Sequence, residues 1–121
     1  MLFAIKNELS LRNNDLRDKI LETLYFGGGT PSILEVDEIK MLMDEILKYF
    51  DFSKDIEITL EANPDDLDQK FLKGIAEIGI NRLSIGIQSF HDEDLKLMNR
   101  AHSSSQAESS VKRAQDAGIQ N

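Results

Sequence analysis

Three short apolar runs, each followed by a loop and then by helical periodicity, constrain this chain more than any other feature. The runs are residues 23–26, 56–61 and 82–90, and each reads as a strand. After the first, Ile39, Leu42, Met43, Ile46, Leu47 and Phe50 recur at intervals of three and four, one face of an amphipathic helix that Ser32 or Asp37 would cap. After the second, "ANPDD" turns into a helix carrying Phe71, Leu72, Ile75 and Ala76 inward and stopped by Gly79. After the third come two helical stretches, residues 95–98 and one carrying Ala107, Val111 and Ala114, with Gly118 as the matching stop. Leu2, Ile5, Leu9 and Leu16 mark one more helix at the start, with a polar break at "RNND". Strand and helix in alternation predict an α/β fold, a βαβαβα arrangement on a parallel sheet with right-handed crossovers.

One internal echo extends this reading. "EIGIN" precedes the third strand, and "DAGIQN" ends the chain where a fourth strand would begin. The opening helix has no strand before it. The expectation is therefore a segment, truncated at both ends, of a longer α/β barrel or sheet.

Charge and composition narrow the partners. Fourteen Lys and Arg against 22 Asp and Glu give a net charge of −8, without a cluster of basic residues that would hold nucleic acid or an anionic membrane. No apolar run reaches transmembrane length and no signal-peptide pattern opens the chain, so a cytoplasmic setting is expected. There is no cysteine, hence no disulfide and no thiolate for zinc or an iron–sulfur cluster.

In parallel α/β folds the loops at the C-terminal ends of the strands share one mouth. Those loops hold Gly27, Gly28, Gly29 and Thr30 after the first strand, Glu61 with Asn63 and Pro64 after the second, Gln88 and Ser89 at the end of the third, and Arg100 in "NRAH". An acid, an amide, a guanidinium and bare backbone make a site for a polar ligand. Each residue also has a plainer role: the glycines a tight turn, Glu61 a cap, Gln88 a bond to a neighbouring strand, Arg100 an ion pair with Asp92 or Glu93. The glycine run lacks the lysine of a Walker loop and the third spaced glycine of a dinucleotide fingerprint. His91 and His102 read as structural or as outer neighbours of the site, Met41, Met43 and Met98 as packing, and Phe90 as closing the core beneath the third loop.

Taken together, "YFGGGTPS", "ITLEANPDDL", "RLSIGIQSF" and "LMNRAH" resemble the radical S-adenosylmethionine proteins of the oxygen-independent coproporphyrinogen III oxidase family, which includes a heme chaperone branch. The resemblance covers essentially the whole chain, residues 1–121, and implies part of a radical S-adenosylmethionine core. That core is a partial (β/α)6 barrel, of which the strands here look like the second, third and fourth. It also implies roles. Gly28, Gly29 and Thr30 would meet the methionyl ammonium of S-adenosylmethionine through backbone, with Glu61 beside them as a charge-assisted acceptor. Gln88 would bind the ribose hydroxyls, and Arg100 the methionyl carboxylate in a bidentate pair. Asn63 and His102 match the family pattern without an assigned contact.

In that family a C-x3-C-x2-C motif holds a [4Fe–4S] cluster, which when reduced cleaves the cofactor to a radical that attacks porphyrinogen propionates. This sequence departs from the pattern by having no cysteine, so the chain alone is expected to be inactive. The implied function is to supply the S-adenosylmethionine-binding loops of a coproporphyrinogen III oxidase-like protein, with porphyrinogen as its partner. The alternative is a heme chaperone. "EANP", "QSF" and "NRAH" look closer to that branch, since the oxidases tend to have aspartate in place of Asn63 and Ser89. Open strand edges also predict self-association.

Overall fold

A computed structural model describes all 121 residues. Helix α1 spans Leu2–Arg12, β1 Ile20–Phe26, α2 Val36–Ile46, β2 Asp51–Ala62, α3 Gln69–Glu77, β3 Arg82–Ile85, α4 Asp92–Leu97 and α5 Ser104–Asp116. The strands form one open parallel sheet in the order β1-β2-β3. The predicted α/β alternation is thus the observed fold.

The core lies where the helices cover the middle of the sheet. Ile39 and Met43 of α2 and Leu72 and Ile75 of α3 pack with Ile58, Leu60 and Ala62 of β2. Strand β2 is central, flanked by β1 and β3, and Ile58, Thr59 and Leu60 are buried in succession. Between α2 and α3 a Cβ on Gly74 would lie 2.9 Å from Val36, so a side chain there would push the helices apart. Both helix stops use the same turn. Gly79 (φ 104°) and Gly118 (φ 96°) take the left-handed conformation, and the next isoleucine amide, Ile80 or Ile119, bonds back to the carbonyl of Ile75 or Ala114. After the second stop the Asn121 carbonyl accepts from the Leu83 amide, on the outer side of β3.

Several boundaries differ from the sequence reading, each for a physical reason. Strand β1 begins at Ile20 and β2 at Asp51, because the polar stretch before Ile56 pairs with β1 across an irregularity between Leu21 and Thr23. Strand β3 ends at Ile85 rather than at Phe90, since the carbonyls of Gly86 and Ile87 turn toward side chains of the following segment. Helix α2 is capped by Glu35 in a reciprocal capping box with Glu38, not by Ser32 or Asp37. Leu16 lies beyond the end of α1 and is exposed. Phe90 is 54% exposed and closes no core, and of the three methionines assigned to packing only Met43 is buried. Helix α4 spans only six residues and buries Leu95 alone, which leaves Met98 outside.

Candidate functional site

The three glycines after β1 are bare for two different reasons. Gly28 (φ 85°) and Gly29 (φ 76°) occupy the left-handed region, and a Cβ on either would meet nothing. Gly27 has no such φ, yet its Cβ would lie 2.6 Å from Cε1 of Tyr25 and 3.2 Å from the carboxyl carbon of Glu61. The missing side chain lets the Tyr25 ring fold across the backbone. Its hydroxyl donates to Glu61 Oε1 at 2.7 Å, and the Gly28 amide donates to Glu61 Oε2 at 3.0 Å. The bond to Glu61 raises the Tyr25 pKa above that of an ordinary phenol, so the hydroxyl remains a donor at neutral pH. Glu61 is therefore anchored to the glycine loop before any ligand arrives. The Thr30 carbonyl accepts from the Ile33 amide, whereas the carbonyls of Gly28 and Gly29 accept no hydrogen bond. Residues 28–30 also edge an apolar groove of about 440 Å³ that Leu2, Ile5 and Leu9 of α1 line from the other side.

Gly27→Ala is expected to displace the tyrosine ring and break its bond to Glu61, at a cost of about 1–3 kcal/mol. Chemical denaturation checks the loss, and an unchanged midpoint would show that the ring is not held as described. Gly28→Ala meets no neighbour and strains only its own backbone.

The second loop ties the first to the third. The Ser32 hydroxyl donates to Asp66 Oδ2 at 2.5 Å and accepts from the Asn63 amide at 3.2 Å. Arg100 Nη2 donates to Asn63 Oδ1 and to the Gly86 carbonyl, both at 3.1 Å, rather than pairing with Asp92 or Glu93. Asp92 instead accepts from the Ser104 amide at 2.8 Å, which holds its carboxyl below the usual range. Nε and Nη1 of Arg100 donate no hydrogen bond within the chain, so the guanidinium has donors left for an anion. A Cβ on Gly86 would lie 3.4 Å from both Arg100 Nη2 and Gln88 Nε2 and 3.5 Å from Asn63 Oδ1. Three polar side chains thus gather over one bare residue.

Glu61, Gly28 and Gly29 stand together at the ends of β1 and β2, and Gln88 and Arg100 together past the end of β3, with Asn63 and Ser32 joining the two groups. The sequence gives Ser32 only as a candidate helix cap and offers no sign of the part that Asp66 plays; the spacing in "YFG" is the only hint of the tyrosine's role. His91 is exposed at the start of α4, while His102 is buried against the third loop.

The family model of the Radical SAM superfamily matches residues 11–121. This chain belongs to the radical SAM superfamily. Its relatives include the heme chaperone HemW of Haemophilus influenzae, 38% identical over 119 residues that make up 98% of this chain and 31% of that protein. The heme chaperone HemW of Bacillus subtilis is 42% identical over 102 residues, 84% of this chain and 27% of that protein. Among solved structures, the coproporphyrinogen III oxidase HemN of Escherichia coli, described as a radical SAM enzyme, superposes with a TM-score of 0.87 at 30% identity, over 98% of this chain and 27% of that one. The chain thus spans about a third or less of the length of these radical SAM relatives, and its open sheet corresponds to part of the radical SAM barrel of HemN.

The superfamily implies S-adenosylmethionine and a [4Fe–4S] cluster, and this chain fits the two differently. For the amino-acid end of S-adenosylmethionine it offers free glycine carbonyls, the Glu61 carboxylate and the unused donors of Arg100, charges that match a zwitterion. For the cluster it offers nothing. The chain has no cysteine, and no three His, Cys, Asp or Glu side chains stand close enough to hold a metal.

Proposed function

We propose that residues 1–121 form the part of a radical SAM core that binds S-adenosylmethionine. Free carbonyls of Gly28 and Gly29, together with Thr30 and Glu61, take the ammonium; Arg100 takes the carboxylate; Gln88 takes the ribose hydroxyls. The observation that carries this reading is the pair of opposite charges, each already oriented by backbone at a strand end: Glu61 by the Gly28 amide and Arg100 by the Gly86 carbonyl. Such preorganisation lowers the ordering cost of binding a small zwitterion. The bound cofactor supplies radical chemistry in the superfamily. The residues of this chain bind and orient it.

For the whole protein, two readings in heme and porphyrin metabolism follow, both set in the cytoplasm. The relatives named heme chaperones and the asparagine at position 63 support a heme chaperone. An aspartate there would cancel the charge of Arg100, which Asn63 leaves intact. The likeness to HemN supports the second reading, oxidation of coproporphyrinogen III. Coproporphyrinogen turnover by the protein with its cluster assembled would establish the oxidase; heme binding without turnover would establish the chaperone.

Two further expectations belong to the chain itself. Incubation with iron and sulfide under anaerobic conditions yields no [4Fe–4S] absorption and no cleavage of S-adenosylmethionine, and a stable cluster would contradict the reading of its ligands. The chain also self-associates, since β1 has a partner on one side only and Phe3 and Leu11 of α1 are largely exposed. A single monomeric boundary in analytical ultracentrifugation would refute that.

A further inference from the structure

Gln88 sits in a strained turn. Its φ is 67°, in the left-handed region that a residue with a side chain enters only at an energetic cost. The Ser89 amide donates to the Ile87 carbonyl at 2.8 Å, so residues 87–89 form a γ-turn of positive φ, the rare and strained hand of that turn. The residue before it is turned too, because the Ile87 amide bonds to the Ile85 carbonyl. Two successive tight turns need something to hold them.

Two side chains of "NRAH" meet the two carbonyls between these turns. Arg100 Nη2 donates to the Gly86 carbonyl, and His102 Nε2 lies 2.9 Å from the Ile87 carbonyl, the same oxygen that closes the γ-turn. A carbonyl only accepts, so Nε2 must carry a proton. His102 is 3% exposed, and its Nδ1 is buried without a hydrogen-bond partner, with Asp65 Oδ1 at 4.0 Å. A histidine kept in the core only for packing has no need to leave one nitrogen unpaired. The cost is accepted where the other nitrogen holds something.

We propose that His102 is a positioning residue for Gln88: its Nε2–H clamps the Ile87 carbonyl and so fixes the γ-turn that presents the Gln88 amide to the site. The clamp is a property of this chain; its consequence for binding rests on Gln88 being the ribose ligand. His102→Gln places an amide N–H near the position of Nε2 and keeps the clamp, whereas His102→Leu fills similar space and removes it.

NMR of the chain tests the clamp without any cofactor. In the wild type, nitrogen shifts of neutral His102 are expected to report the Nε2–H tautomer, and the coupling constant and intraresidue contacts of Gln88 a positive φ. His102→Gln retains the positive φ and His102→Leu loses it. A neutral Nδ1–H tautomer in the wild type, or an unchanged Gln88 in His102→Leu, overturns the proposal, and the tautomer decides even where the leucine variant does not fold. Titration with S-adenosylmethionine then separates the two claims. Affinity falls about tenfold in His102→Leu and recovers in His102→Gln if Gln88 contacts the ribose. A lost turn with unchanged affinity leaves the clamp standing and refutes the ribose assignment.

Discussion

Arg100→Ala is expected to lower the affinity for S-adenosylmethionine by about 100-fold, close to 3 kcal/mol, because it removes a charge-assisted pair and leaves two acceptors without their donor. Asn63 Oδ1 and the Gly86 carbonyl both depend on Nη2 of this residue. The second and third loops lose their link at the same time as the ligand loses its anchor. Arg100→Lys keeps the charge but cannot hold both acceptors while receiving a carboxylate with the remaining donors, so it recovers little of the loss. Isothermal titration calorimetry reads both variants, and an alanine variant that binds as well as the wild type would remove Arg100 from the site.

Glu61→Ala is expected to act on the loop and on the ligand together. The Tyr25 hydroxyl and the Gly28 amide lose their shared acceptor, and the glycine loop is released from β2. A stability loss of about 1–2 kcal/mol and a fall in S-adenosylmethionine affinity of about 30-fold follow. Glu61→Gln separates the two effects. Its amide oxygen still accepts one of the two bonds, so the loop stays largely in place, while the charge that faces the ammonium is gone. Thermal melts and calorimetry of both variants give the comparison: affinity lost in each, stability lost mainly in the alanine. Equal affinity of Glu61→Gln and wild type would mean that the carboxylate serves the loop alone.

How much of this was legible in the sequence depends on whether a feature is local. The strand and helix order follows from apolar period and glycine stops, and Gly79 and Gly118 end their helices as their sequence context predicts. The polar residues of the mouth were legible because they stand at strand ends, where a parallel fold gathers its loops. What was not legible depends on contacts across the sheet. The reason for Gly27 is the ring of Tyr25 reaching a carboxylate 36 residues away, and no periodicity carries that. The early end of β3 is set by Arg100 and His102, which lie in a later segment and take the carbonyls a longer strand would have used. Ser32 looked like a cap because it precedes a helix, but its hydroxyl is committed to Asp66 and to the amide of Asn63. Phe90, at the end of a strand-like run, and Met98, at a helical spacing, show the converse: apolar character in a periodic pattern does not supply a partner to pack against.

The proposed function requires that the strand-end loops of this chain bind S-adenosylmethionine. A nitrogen-resolved NMR titration of the chain with S-adenosylmethionine tests it most directly. Saturable shifts are expected at the Gly28 and Gly29 amides, the Gln88 side-chain amide and Arg100 Nε, all reduced together in Glu61→Gln. Shifts confined to other residues, or none at saturating ligand, would contradict it.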